Sequence, residues 1–335
     1  MTQIPDILIF THASPDIGHG HVSRCRSLAW EGRRRGKVVN FITEDSYTTQ
    51  LLKSWGETPL NSVDECPPSP FIIRDFRNPN PITEVQKQIT EGATVLLLDD
   101  LGPARTLTLL VVDAMMTPQR SVQHPHSSQT QYLYGLPYAP LHQQFAEHHR
   151  RAKPGLSASS RLFVSFGGSD PQGITYRFLQ ALDQVGFSGP ATVVIEPIQE
   201  TRQQVTEIVK HWHQVEILEN VTDMAHRMSA CDLVATKLGV TLFEAFCVGL
   251  GCVLIEPTPA HVQLQEDLAQ AHQLWPVIEF GLANEVDFRK AAQKTVECLQ
   301  DSQLLTQLGQ QGANLIDGLG VKRIMDELLG FKSLA

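Results

Sequence analysis

Gly18-His19-Gly20-His21-Val22-Ser23-Arg24-Cys25 follows Ile7-Leu8-Ile9-Phe10, a short apolar run of strand character. Beyond it, Val22, Cys25, Leu28 and Ala29 recur at helical spacing. A glycine-bearing turn therefore leaves a strand and opens a helix. Glycine lets a ligand approach the backbone closely, and a helix N-terminus offers unpaired N–H groups and partial positive charge. The loop is an anion site by construction. His21 stands at its mouth, able to take or give a proton near neutral pH. Three readings stand side by side. One is a plain strand-to-helix turn. Another is a dinucleotide turn, with Gly18-x-Gly20-x-x-Ser23 approximating G-x-G-x-x-G/A and Glu44 as the ribose acid. The third is a histidine working beside a sugar or phosphate.

Outward from this loop the strand–helix alternation repeats. Val38–Ile42 and Thr94–Asp100 read as strands, Phe71–Ile73 as a short one, and 109–113 as another. Asp99 and Asp100 end one of these runs, either as loop caps or at the ligand end of a sheet. Residues 117–131 are polar and read as loop. The composition of 150–160 is that of a linker, which sets one domain over 1–152 and a second over 153–335. The second half restarts with 161–166, 191–195, 215–218, 232–235 and 252–255 as strands and ends in a helical tail over 286–330. Gly167-Gly168-Ser169 and Gly239-Val240-Thr241 are two further turns that leave strands and open helices. The fold class expected is α/β, with two Rossmann-like domains whose parallel sheets face a cleft. Three glycine turns split over two similar halves suit a phosphate-bearing ligand. Ser169 and Thr241 offer hydroxyls to it, or cap their helices. Glu244 either closes a capping box or accepts the hydroxyls of a ribose.

A chain of 335 residues is comfortable for two domains, and 42% hydrophobic with 19% charged residues is globular composition. A net charge of −9 argues against a nucleic-acid binder, which needs a basic face. No apolar run reaches the length of a membrane span. Residues 1–6 lack the basic and apolar regions of a signal peptide. The expectation is a cytoplasmic protein, and the six scattered cysteines, with no C-x-x-C pair, read as reduced thiols. His148-His149 and His211-x-His213 read as solvated helix faces. No metal and no cofactor is expected.

Taken in order, several segments resemble one bacterial family. They are Gly18-His19-Gly20-His21-Val22-x-Arg24-Cys25-x-x-Leu28-Ala29, Asp99-Asp100, Gly135-x-x-Tyr138-Ala139-x-Leu141-x-x-x-Phe145, and Val164-Ser165-Phe166-Gly167-Gly168-Ser169-Asp170-Pro171. Asp223-Met224-Ala225, Thr241-Leu242-Phe243-Glu244 and Asp317-Gly318-x-Gly320 complete the series. The family is the UDP-2,4-diacetamido-2,4,6-trideoxy-β-L-altropyranose hydrolase of pseudaminic-acid synthesis, with its spore-coat polysaccharide relatives. It is similar in turn to the N-acetylglucosaminyltransferase that makes lipid II.

The resemblance implies a GT-B fold, UDP held mainly by the C-terminal domain, and the sugar against the N-terminal glycine loop with Gly18 and Gly20. Ribose would sit on Glu244, and phosphates near Gly168, Ser169, Gly239 and Thr241. His21 would be the general base for a water that displaces UDP with inversion, with no metal required. Lys237 and Gln265 complete the candidate binding residues. The chain departs from the family pattern at Phe10 and His12, where Arg and Asp are usual, and at His142 and Gln144. Its Thr236-Lys237-Leu238-Gly239-Val240-Thr241 replaces a small-residue loop. The function expected is UDP-sugar hydrolysis in surface-polysaccharide synthesis. A GT-B glycosyltransferase and a non-catalytic nucleotide-sugar binder are the alternatives. The sugar, any acceptor, a peripheral membrane contact and the oligomeric state stay open.

Overall fold

The computed structural model describes residues 5–60, 62, 68–149, 160–168 and 170–331. The chain forms two compact units, Met1–Gln143 together with Leu319–Ala335, and Gln144–Gly318. The first holds a six-stranded sheet built from β1 (Ile7–Thr11), β2 (Val39–Ile42), β3 (Phe71–Asp75), β4 (Thr94–Leu98), β5 (Leu110–Asp113) and β6 (Gln131–Tyr134). The spatial order is β2-β1-β3-β4-β5-β6, and every pairing is parallel. The second unit repeats the plan with β7 (Leu162–Val164), β8 (Ala191–Val194), β9 (Val215–Leu218), β10 (Leu233–Thr236), β11 (Gly251–Glu256) and β12 (Val277–Leu282). Its order is β12-β11-β10-β7-β8-β9, again all parallel.

Central strands are near-continuous apolar runs because helices cover both faces of a parallel sheet. In the first unit, Ile7, Ile9, Ile73, Leu96 and Leu98 pack under the helix Gly20–Arg34 through Val22, Cys25, Leu28 and Ala29. Leu8, Phe10, Ile72, Val95 and Leu97 face the other way, against Val85 of the helix Ile82–Thr90. The second unit buries Leu162, Val164, Leu233, Ala235 and Val253 against Phe178, Leu182 and Ala291.

Two strands lie where the sequence pattern indicates none, β6 and β12. Both are edge strands with half-buried or exposed faces, so neither needs the apolar run that marks a central strand. The boundary also differs from the expected 152/153. It falls at Gln143/Gln144, and 150–159 of the expected linker lie outside the described residues.

The last helix, Gly320–Gly330, belongs to the first unit rather than the second. Val321, Ile324, Met325 and Leu328 enter the core of Ile7, Ile9 and Leu28. Periodicity announces a buried face but not the sheet it meets. Gly320 starts this helix because a Cβ there would lie 2.1 Å from the carbonyl oxygen of Ala139. Leu328→Ala, at a fully buried site, is expected to cost about 2–5 kcal/mol in urea unfolding. Amide exchange should rise in β1 and β3, not in β7 and β10.

Candidate functional site

Both sheets place their glycine turns at the carboxyl ends of strands, where the strand order reverses. In the first unit that point lies between β1 and β3, and in the second between β7 and β10. Ligands of open parallel sheets bind there.

In the first unit, Gly18 takes a left-handed φ of 79° and the helix begins at Gly20 with no side chain capping its first turn. His21 and Arg24 are three residues apart and share a helix face. Asp75, the last residue of β3, is fully buried between them. Its Oδ1 lies 2.6 Å from His21 Nδ1 and accepts from Arg24 Nη2 at 2.5 Å, while its Oδ2 accepts from Arg24 Nε at 2.6 Å. Arg24 Nη2 is also 3.1 Å from His21 Nδ1. Arg24 Nη1 donates to Asp99. Burial raises the Asp75 carboxyl, but the Arg24 and His21 charges outweigh it and hold the group far below the usual carboxylate range. Burial alone lowers the Arg24 guanidinium, and Asp75 and Asp99 reverse this. A carboxylate only accepts hydrogen bonds, so Asp75 fixes the proton of a neutral His21 on Nδ1 and leaves Nε2 as the basic nitrogen. The His21 side chain is 19% exposed and Asp75 not at all. That is the arrangement of an oriented base with one open edge.

The adjacent acids divide. Asp99 adopts a left-handed φ of 49° and turns to Arg24. Asp100 caps the loop, accepting from the Asn80 amide at 2.8 Å, Asn80 Nδ2 at 2.6 Å and the Gly102 amide at 2.7 Å. Asp113 ends β5 and is buried. Burial, and then the charge of Asp99, push its carboxyl up to about 8.

Phe10 and His12 line a cavity of 630 Å³ at the carboxyl ends of β1, β2 and β3. His12 Nδ1 lies 3.0 Å from Asp45 Oδ2. His142 packs against Trp30, with ring centroids 5.6 Å apart, and Gln144 lies in the helix Gln143–Glu147. Glu44 is exposed at the cavity.

In the second unit, Gly239 precedes the helix Val240–Cys247, whose first turn also has no side-chain cap. Thr241 and Glu244 are inside that helix and one turn apart, so they form no capping box. Glu244 is half-buried, and desolvation pushes its carboxyl up to about 8. Lys237 acts on two neighbouring carboxyls, Glu196 and Glu256, lowering both against burial that leaves Glu256 at about 7. Glu256 accepts from the Leu238 amide at 3.0 and 3.2 Å.

The Gly167–Gly168 turn departs from expectation in one respect. The N-terminus of the helix Ile174–Gln184 is filled by the chain's own carboxylate, with Asp170 accepting from Ile174 N at 2.9 Å and Thr175 N at 2.7 Å. Gly168 therefore offers loop amides and no helix terminus. Ser169 lies outside the described residues. Gln265 is buried and donates to Glu279 of β12. Gly239, Thr241, Glu244 and Lys237 thus gather at β10, and Gly18, Gly20 and His21 at β1.

The sequence reading missed Asp75, and Arg24 entered it only as part of a motif. The available signal was an apolar strand that ends in an acid, Phe71-Ile72-Ile73-Arg74-Asp75.

No protein-family model matches the chain. It is 26% identical over 273 residues to a protein of Methanocaldococcus jannaschii of uncharacterised activity, covering 74% of this chain and 55% of that one. The chain thus spans about half the length of that relative. It is 23% identical over 333 residues to the spore coat polysaccharide biosynthesis protein SpsG of Bacillus subtilis, covering 94% and 95%. Among solved structures it resembles MurG of Acinetobacter baumannii (TM-score 0.64, 13% identity, 97% and 99% covered). It also resembles UDP-GlcNAc 2-epimerase of Neisseria meningitidis bound to UDP-GlcNAc (0.63, 8%, 97% and 100%). MnaA of S. aureus with UDP is a third such structure (0.62, 10%, 97% and 96%). Over almost its whole length, then, the chain has the two-domain, Rossmann-like GT-B fold. Among the described residues no helix is long and apolar enough to cross a membrane.

Asp113 generates a pH test. Its folded-state affinity for a proton exceeds that of an unfolded Asp, ordinarily near 3.9. Between about pH 4 and 8 the native state therefore holds the extra proton, and stability falls as pH rises. Asp113→Asn mimics the protonated form. Its stability relative to the parent, by urea unfolding, should rise from pH 4 to pH 8 by more than about 1.4 kcal/mol, one pKa unit. A pH-independent difference would refute this assignment.

Proposed function

We infer that the chain is an enzyme that cleaves a UDP-sugar, with water as the attacking group and His21 as its base. The observation that carries the reading is the hydrogen-bonded set His21–Asp75–Arg24–Asp99 at the switch point of the first sheet. In this reading His21 Nε2 takes a proton from water as the water oxygen bonds to the anomeric carbon. The bond from that carbon to the phosphate oxygen breaks, and its electron pair leaves with UDP, inverting the centre. The uncapped first turn of the helix Gly20–Arg34 offers N–H groups to the sugar. The second unit takes UDP, with phosphates on Gly168, Ser169, Gly239, Thr241 and Lys237 and the ribose hydroxyls on Glu244. Gln265 is the remaining candidate for binding the nucleotide in that unit. The similarity to a spore coat polysaccharide biosynthesis protein of Bacillus, and to two structural neighbours that hold UDP and UDP-GlcNAc, favours a nucleotide-sugar substrate. Transfer of the sugar to a hydroxyl acceptor is the second reading.

His21→Ala should lower UDP release from UDP-sugars by about 10²–10⁴-fold while leaving UDP affinity unchanged. If UDP binds but the parent protein releases none from any UDP-sugar tried, the enzyme reading fails.

Glu244 sets a pH dependence for nucleotide binding. Two ribose hydroxyls donate to its charged form, so binding lowers its proton affinity and expels a proton. UDP affinity should therefore rise as pH rises towards about 8 and level off above it. Titration calorimetry in buffers of different ionisation enthalpy should show proton release at pH 7. Glu244→Gln should abolish both effects, and unchanged proton release in that variant would remove Glu244 from the ribose site.

A further inference from the structure

Three adjacent strands of the first sheet, β3, β4 and β5, each bring an acid to their carboxyl ends. Asp75 ends β3 in register with Leu98, Leu98 pairs with Val112, and Asp113 ends β5 beside Tyr134 of β6. Asp99 follows β4 and donates its amide to the Val112 carbonyl at 2.8 Å, which sets it against the end of β5. Asp75 and Asp99 both meet Arg24. Asp113 Oδ1 accepts from the Met115 amide at 2.9 Å, and the charges of Asp99, Arg24 and Arg105 act on its carboxyl. Arg105 is fully buried. Its Nη2 donates to the Tyr134 hydroxyl, and the Tyr132 and Tyr134 rings lie 5.3 and 5.8 Å from its central carbon.

Three carboxyls thus share two guanidiniums, Arg24 and Arg105, and full ionisation leaves one negative charge over. An uncompensated buried charge is costly, so a proton settles among these groups. Most of them neither take nor give it near neutral pH. Asp75 is held ionised and Arg24 charged, and a guanidinium does not lose its proton. Burial pushes up the Cys25 thiol, which donates to Asp75 at 3.6 Å, and takes the Tyr134 phenol to about 12. Further out, His126 Nε2 lies 3.3 Å from the Tyr134 hydroxyl, and burial, then the Arg105 charge, lower His124. Asp113 and the His21 imidazole remain as the groups that change charge. Asp113 is linked to the set through Asp99, Arg24 and Arg105, and His21 through Asp75 and Arg24. Two groups that answer to the same charges titrate as a pair.

We propose that Asp113 is a positioning residue for His21: its neutral form balances the row of acids, and its ionisation adds a negative charge that favours the imidazolium. The proposal rests on the UDP-sugar reading only for its consequence in catalysis, where a proton moves to His21.

Nitrogen-15 NMR of the histidines in the full chain, with His21 assigned by its loss in His21→Gln, tests it across about pH 5–10. In the parent the His21 imidazole should titrate in two steps, its own and a smaller one near pH 8. The Asp113 carboxyl carbon should move at the same pH as the upper step, a comparison that needs no variant. Asp113→Asn holds the neutral form and should keep the first step and lose the second. In an active parent, kcat for UDP release should rise severalfold through the upper step and stay flat there in Asp113→Asn. A single His21 step in the parent, an Asp113 transition at a different pH, or an upper step that survives in Asp113→Asn overturns the proposal. The shifts are read without nucleotide, which keeps the two readings apart. Two steps in a protein that releases no UDP leave the row standing and fell the UDP-sugar reading, and one step in an active protein fells the row alone.

Discussion

A buried guanidinium needs opposite charge at hydrogen-bond distance, and Arg24 has two carboxylates, Asp75 and Asp99. Removing one partner from such a set leaves an uncompensated buried charge, at a cost of about 3–5 kcal/mol. The requirement ties three elements together. Arg24 rides on the helix that follows the first glycine turn, Asp75 ends β3, and Asp99 follows β4. The helix, and His21 one turn before Arg24, are thereby fixed in rotation and height over the sheet. The positive φ of Asp99 belongs to the same constraint, since it turns one of two adjacent acids towards the arginine while Asp100 serves the loop.

The two units use one topology for opposite electrostatic ends. In the first, Asp75 meets both His21 and Arg24, and Asp99 meets Arg24, so these four side chains hold one another. In the second, the uncapped helix at Gly239 and the desolvated Glu244 keep hydrogen-bonding capacity in reserve. Preorganised charge suits a group that must act on a proton. Reserved capacity suits groups that hold a ligand with many donors and acceptors.

The three glycine turns, the central strands and the plan of two Rossmann-like units were legible in the sequence because each follows from local demands, whereas the GT-B expectation came from the family resemblance. A turn must admit close backbone approach, and a strand covered on both faces must be apolar. Edge strands β6 and β12 carry no such demand and escaped the pattern. Asp75 escaped for another reason. It stands 54 residues from His21, and only the pairing of β1 with β3 brings the two together. Asp170 shows the converse limit, for a glycine turn before a helix reads as an anion seat even where the chain's own carboxylate already fills it.

The return of Gly320–Gly330 to the first core affects the order in which the protein can be made. The helix that closes the core around β1 emerges from the ribosome only after all of Gln144–Gly318 has been made, about 10–30 s later at ordinary elongation rates. Through that interval Ile7, Ile9 and Leu28 lack their cover, while the second unit already has its entire sequence. The half whose synthesis starts first is completed last, and its nascent form presents an apolar face of the kind that chaperones hold.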